Sequence, residues 1–167
     1  MPNMHTRDSG NGDISKSKIK SSASALARTG RVMTLSTFDG DTLWTAPVYY
    51  MFSAGSFYFF SNNEARHIRD ARHTEGKCAA SSFYDDSRVE NIKGLQMQGN
   101  IAKVDRKVES SLKALEYVKK FQIECDRNRI IEFFFKAYNA SLYKFIPESV
   151  FYMDNSIRFG FRQSVSL

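Results

Sequence analysis

Cysteine is scarce: Cys78 and Cys125 are the only two in 167 residues, and no Cys-x-x-Cys pair occurs. With three histidines and none at metal-ligand spacing, this excludes a disulfide framework and gives no zinc site, so metal ligands are expected to be none. Long apolar runs are also missing. No window approaches the roughly 18 apolar residues of a spanning helix, and Met1 to Lys20 is polar, so the chain is expected to be cytoplasmic, neither exported nor membrane-embedded. Acidic residues number 18 against 24 Lys plus Arg, a net charge of +6 that allows an anionic partner without demanding one. What the sequence does have is aromatic rings: fourteen Phe, eight Tyr and the single Trp44. With 42% hydrophobic residues they supply a core and exclude global disorder, and they favour strands over an all-helical bundle.

Met1 to Asp13 offers almost nothing to bury and is expected to be a disordered tail, leaving 14–167 as a single domain. Ile14 to Ala27 has weak helical spacing, with Thr29-Gly30 as a stop. From Arg31 the period changes. Val32 to Leu35, the turn Phe38-Asp39-Gly40-Asp41 and the run Leu43 to Phe52 read as a hairpin. After a turn at Ser53 to Ser56, the aromatics Phe57-Tyr58-Phe59-Phe60 suit a strand covered on both faces. Ser61-Asn62-Asn63-Glu64 has the form of a capping box before a helix over Ala65 to Arg72. Lys77 to Tyr84 and Asn91 to Val104 read as strands, with bends or bulges at Gly94 and Gly99. Helices are predicted over Glu109 to Phe121 and Asp126 to Ala137, although Ile130 to Phe135 suits a strand equally by propensity. Ala140 to Asp154 returns to strand character, with Pro147 marking an edge or bulge. The fold class is therefore mainly β (α+β), a small barrel of six antiparallel strands with peripheral helices.

Three stretches carry possible chemistry. Phe60, Ser61, Asn62, Arg66 and His67 join a strand to a helix start, where free N–H groups, a hydroxyl and two basic side chains suit a phosphate. The plain alternative is that Ser61 only caps the helix and Arg66 is solvated. Thr45, Ala46, Pro47, Val48, Tyr49 and Tyr50 form a second stretch: small residues admit a flat ring close to the backbone, and Pro47 removes a ladder donor, which places the strand at an edge or a split. The alternative there is a core strand. Third, Gly94, Gln96 and Gln98 alternate with Leu95 and Met97, so Gln96 presents an amide able to bond a heterocycle, or simply a solvated face.

In their order along the chain, these stretches resemble the FMN-binding split-barrel family typified by pyridoxamine 5'-phosphate oxidase, over about Arg31 to Val104. The resemblance implies a six-stranded split β-barrel that forms a homodimer, with FMN in the groove between subunits. It implies that Thr45 to Tyr50 lie along the flavin and that Phe60, Ser61, Asn62, Arg66 and His67 hold its phosphate. His67 stands where Lys is usual, and Gln96 substitutes for a flavin-contacting Gln whose position is taken by Gly94. The family's C-terminal Arg-Leu-His-x-Arg signature is absent, which argues against pyridoxal phosphate synthesis. The implied activity is FMN-dependent electron or hydride transfer with a small-molecule substrate. No catalytic acid or base stands out beyond Tyr49, Tyr50 and His73 by residue type. Two other classes compete: a flavin- or haem-binding protein without turnover, and a single-stranded nucleic-acid binder. The latter is disfavoured because the aromatics lie in continuous apolar runs and the charge excess is small.

Overall fold

The structure, a computed structural model, describes residues 15–167. The expected tail, Met1 to Asp13, lies outside the described residues. In chain order the elements are α1 (Lys16–Thr29), β1 (Val32–Phe38), β2 (Leu43–Tyr49), β3 (Met51–Ser53), β4 (Ser56–Asn62), α2 (Arg66–His73), β5 (Lys77–Tyr84), β6 (Lys93–Lys103), α3 (Lys107–Phe121), α4 (Ile130–Tyr138), β7 (Ala140–Asp154) and β8 (Arg162–Ser164). The strands form one curled antiparallel sheet in the order β2-β1-β5-β6-β7-β4-β3, with β8 added beside β7.

Among the described residues there are eight strands where the sequence predicts six. The run Leu43 to Phe52, expected to be one strand, breaks at Tyr50 into β2 and β3, which stand at opposite ends of the sheet order. Tyr50 is fully buried at this crossing, its ring edge-on to Phe57 at 5.0 Å, so the chain passes from one edge of the barrel to the other through the core. The second addition is the short β8, in the basic aromatic tail.

β4 shows why so many aromatics are needed. Phe57 and Phe59 point into the barrel with Met33, Leu35, Phe145 and Tyr152, closed by Ile19, Ala23 and Ala27 of α1 and Ile68 and Ala71 of α2. Tyr58 and Phe60 point the other way, into a second cluster with Tyr117, Val118, Ile130 and Phe134 of α3 and α4. Both faces of the strand are covered, as its apolar run predicts. Ile130 to Phe135, ambiguous by propensity, is helix because its Ile130 and Phe134, four apart, fill that second cluster.

β6 and β7 pair along their lengths, with a register shift at Gln98/Gly99. Gly99 is required there: a Cβ would lie 2.1 Å from the Ile146 carbonyl oxygen. Pro147, opposite Gly99, falls between the segments of β7 that pair with β4 and with β8, where its missing N–H breaks no ladder bond.

Candidate cofactor site at the open edge of the barrel

β2 is an edge strand, hydrogen-bonded to β1 alone. The direction of its backbone groups follows from two bonds: Tyr50 N–H to the Arg31 carbonyl, 2.9 Å, and Asp39 N–H to the Thr42 carbonyl, 3.3 Å. In an antiparallel pair bonding alternates, so Trp44, Ala46 and Val48 bond β1, and the backbones of Thr45, Pro47 and Tyr49 face the open edge. Pro47 presents no donor there, and the Tyr117 hydroxyl donates to the Tyr49 carbonyl at 3.3 Å. The N–H groups of Thr45 and Tyr49 remain on the edge without a strand partner. This is the split that Pro47 predicts.

Side chains divide the same stretch. Ala46 and Val48 turn toward the core beside Leu35 and Met33, and Tyr50 is buried. Thr45, Pro47 and Tyr49 lie exposed on the outer face. Gln96 is on that outer face too, in the row Pro47, Thr34, Ser81, Gln96. Three strand spacings separate Pro47 from Gln96, about 14 Å. Gln96 Oε1 accepts from Arg162 Nη1 at 3.4 Å, and Arg162 covers the Phe151 ring at 4.9 Å.

The strand-to-helix stretch differs from expectation in one respect. Ser61 does not cap α2: the helix begins at Arg66 after Ala65, without a side-chain cap, and Ser61 is the penultimate residue of β4. The turn is instead held by Asn62, whose Oδ1 accepts from Glu64 N–H at 2.8 Å and whose Nδ2 donates to the Tyr138 carbonyl at 3.0 Å. Ser61 is buried and its Oγ lies 2.9 Å from Nε2 of buried His67. Burial lowers the His67 pKa, with Asp70 acting weakly in the opposite sense, so the ring is held neutral. Phe60 faces away from both, stacked on Phe134 at 3.8 Å between ring centroids.

Arg66 sits where the β1–β2 turn meets α2. Its guanidinium covers the Trp44 ring at 4.7 Å, donates to Thr42 Oγ1, and lies 3.5 Å from Asp39 and 3.8 Å from Asp70. Asp70 is buried and accepts from the Thr37 hydroxyl at 2.8 Å. The N–H groups of Thr42 and Asp41, the Thr42 hydroxyl and Arg66 hold the Asp39 carboxyl at about 2, so it is ionised at neutral pH.

The structure thus gathers Arg66, His67 and Ser61 at one end of β2, lays Thr45, Pro47 and Tyr49 along an open edge, and leaves Phe60 and Gln96 apart. Sequence reasoning missed Asp39, Thr42, Trp44 and Asp70. The four-residue spacing of Arg66 and Asp70 was a legible helical pair. Asp39 read only as a turn residue and Thr42 carried no reading, because nothing local shows that the hairpin tip returns to α2.

No family model and no curated protein sequence matches the chain. Solved structures do match its fold. ChuZ of Campylobacter jejuni superposes with a TM-score of 0.73 at 14% identity, over 90% of this chain and 60% of its own, so the chain spans about three fifths of that protein. A FAD-binding protein of Mesorhizobium loti gives 0.61 at 13% identity, covering 77% of this chain and 87% of that one. HutZ, the haem storage protein of Vibrio cholerae, gives 0.61 at 14%, covering 78% and 90%. The fold is the pyridoxamine 5'-phosphate oxidase-like split barrel.

Proposed function

We propose that the chain binds FMN along β2 and uses it for electron or hydride transfer with a small substrate. The observation that carries this reading is the open edge of β2 with Arg66 at one end. An apolar strand with two free N–H donors suits the edge of a ring system, and an arginine one-third exposed suits a phosphate. Bound flavin supplies the redox chemistry. The chain's own groups orient it: Thr45 and Tyr49 N–H toward the heterocycle, Arg66 toward the phosphate. His67, neutral and already engaged with Ser61, has at most a supporting part. The fit has a cost. Asp39 and Asp70 already neutralise Arg66, so a phosphate must displace Asp39, the more exposed partner at the hairpin tip.

We further propose a homodimer. The outer face of β1, β2, β5 and β6 carries the small residues Thr34, Ser36, Ala79 and Ser81 beside exposed Val32 and Phe83, a surface that a second copy of the chain covers by packing sheet on sheet. Thr45, Pro47 and Gln96 lie on this face, and in this reading the cofactor groove runs along the subunit boundary with the substrate beside it.

Haem, bound by HutZ, is the second reading. It is less favoured because an iron needs an axial donor: His67 is buried with Nε2 engaged, and exposed His73 stands at the opposite end of α2 from Arg66, away from the open edge of β2. The absorbance spectrum of the purified protein separates the two. A flavin spectrum, or flavin uptake on adding FMN, supports the proposal; a Soret band with no flavin uptake overturns it.

A further inference from the structure

At the other end of β2 from Arg66, the C-terminal turns of α1 and α3 converge. Lys120, in the last turn of α3, donates to the carbonyl oxygens of Arg28 and Gly30 at 3.1 and 2.5 Å, which tie off the end of α1. Its ammonium stands 5.0 Å from the centroid of the Tyr50 ring and 5.7 Å from that of Phe121. Arg31 is exposed, and its guanidinium covers Phe121 at 5.0 Å. Exposed Tyr49 meets Phe121 edge-on at 5.5 Å.

Charge is unbalanced here. Arg28, Arg31 and Lys120 belong to this junction, and among the described residues none of the three lies within ion-pair distance of a carboxylate. The carbonyl ends of α1 account for Lys120, since cations are favoured at helix C-termini. They do not account for Arg31, whose guanidinium lies on an aromatic face. Burial, with the nearby Arg31 charge as a smaller contribution, lowers the Lys120 pKa to about 8, and holding two cations close together raises the free energy of the empty protein. An anion reverses that cost. A guanidinium fork matches the two oxygens of a carboxylate, and the exposed ring of Tyr49 matches a flat conjugated body.

We propose that Arg31, Lys120 and Tyr49 form a binding lip for a planar carboxylate, with the carboxylate against the two cations and the conjugated body against the exposed Tyr49 ring, while Phe121, covered by Arg31 and packed on Tyr117 at 4.6 Å, holds the lip in place. The lip is built from this chain's own side chains and does not rest on the cofactor reading. Its nearness to Tyr49 puts such a ligand at the end of the open edge.

The test is a calorimetric titration of the full chain with cinnamate and with its neutral isostere cinnamide. Cinnamate is expected to bind at least about tenfold more tightly than the amide, with an advantage that shrinks as salt is added. Arg31→Gln, an exposed substitution, is expected to weaken cinnamate about tenfold, leave cinnamide unchanged and leave the melting temperature unchanged. A second readout covers Lys120, whose removal risks loosening α1: by NMR its side chain titrates at higher pH with cinnamate present than without. Equal affinity for acid and amide, full affinity in Arg31→Gln, or an unmoved Lys120 titration would each overturn the proposal. Loss of FMN binding with the cinnamate results intact would overturn the cofactor reading and leave the lip standing.

Discussion

Ser61 Oγ and His67 Nε2 lie 2.9 Å apart with both side chains buried, one at the end of β4 and the other in the first turn of α2. The pair joins strand to helix where a helix cap was expected. Because His67 is buried, its folded-state pKa is lowered, and the folded protein resists the proton that the unfolded chain accepts.

The sign of the pH dependence follows. The unfolded histidine titrates near about 6.5, so the stability contributed by neutral His67 is complete above that value and is lost as the pH falls below it. The melting temperature is expected to drop between about pH 7 and about pH 5, before the carboxylates titrate, and to drop less in His67→Gln. A variant whose melting temperature falls as steeply as that of wild type contradicts this account of the pair.

Asp39 is expected to oppose the phosphate. Replacing it by Asn keeps a turn-forming side chain and removes the charge that competes for Arg66. FMN affinity, read by quenching of flavin fluorescence, is expected to rise about threefold or more in Asp39→Asn. Unchanged affinity would mean that the phosphate lies elsewhere.

Gly99→Ala tests the bulge between β6 and β7. The added Cβ meets the backbone of Ile146 and Pro147, which cannot turn aside as a side chain can. A loss of about 1–3 kcal/mol is expected in denaturant unfolding. Wild-type stability would show that the two strands separate there at little cost.

Much of the fold was legible because the strongest signals were local. The alternation of β6, the double-sided apolar run of β4, and Gly99 with Pro147 as a bulge each needed only a few neighbouring residues. The break at Tyr50 was not legible, because Leu43 to Phe52 is apolar but for Thr45 and only the closing of the sheet decides that Tyr50 enters the core. The false capping box has a similar cause. Ser61-x-x-Glu64 fits the pattern, but β4 pairs with β7 through Asn62, keeping Ser61 in the strand and delaying the helix to Arg66. At the candidate site, Arg66 was found by its place after a strand. Its neutralising partner Asp39 came from a hairpin tip 27 positions earlier, a long-range contact with no local mark.

Phe83→Glu tests the dimer. Phe83 is 67% exposed on the outer face, so the substitution leaves the core untouched. Sedimentation is expected to give a dimer for wild type and a monomer for the variant, at similar melting temperatures for dilute protein. A wild-type monomer that binds flavin fully would contradict the shared groove.

The most direct test of the flavin site compares FMN and riboflavin on wild type and Arg66→Ala, by fluorescence titration beside a thermal melt. Wild type is expected to prefer FMN at least about tenfold. Arg66→Ala is expected to lose about 1.5–3 kcal/mol of FMN binding, roughly ten- to a hundredfold or more, with riboflavin affinity nearly unchanged and a lowered melting temperature, since buried Asp70 loses its cation. Equal wild-type affinity for the two flavins, or full FMN affinity in Arg66→Ala, would contradict this reading of the site.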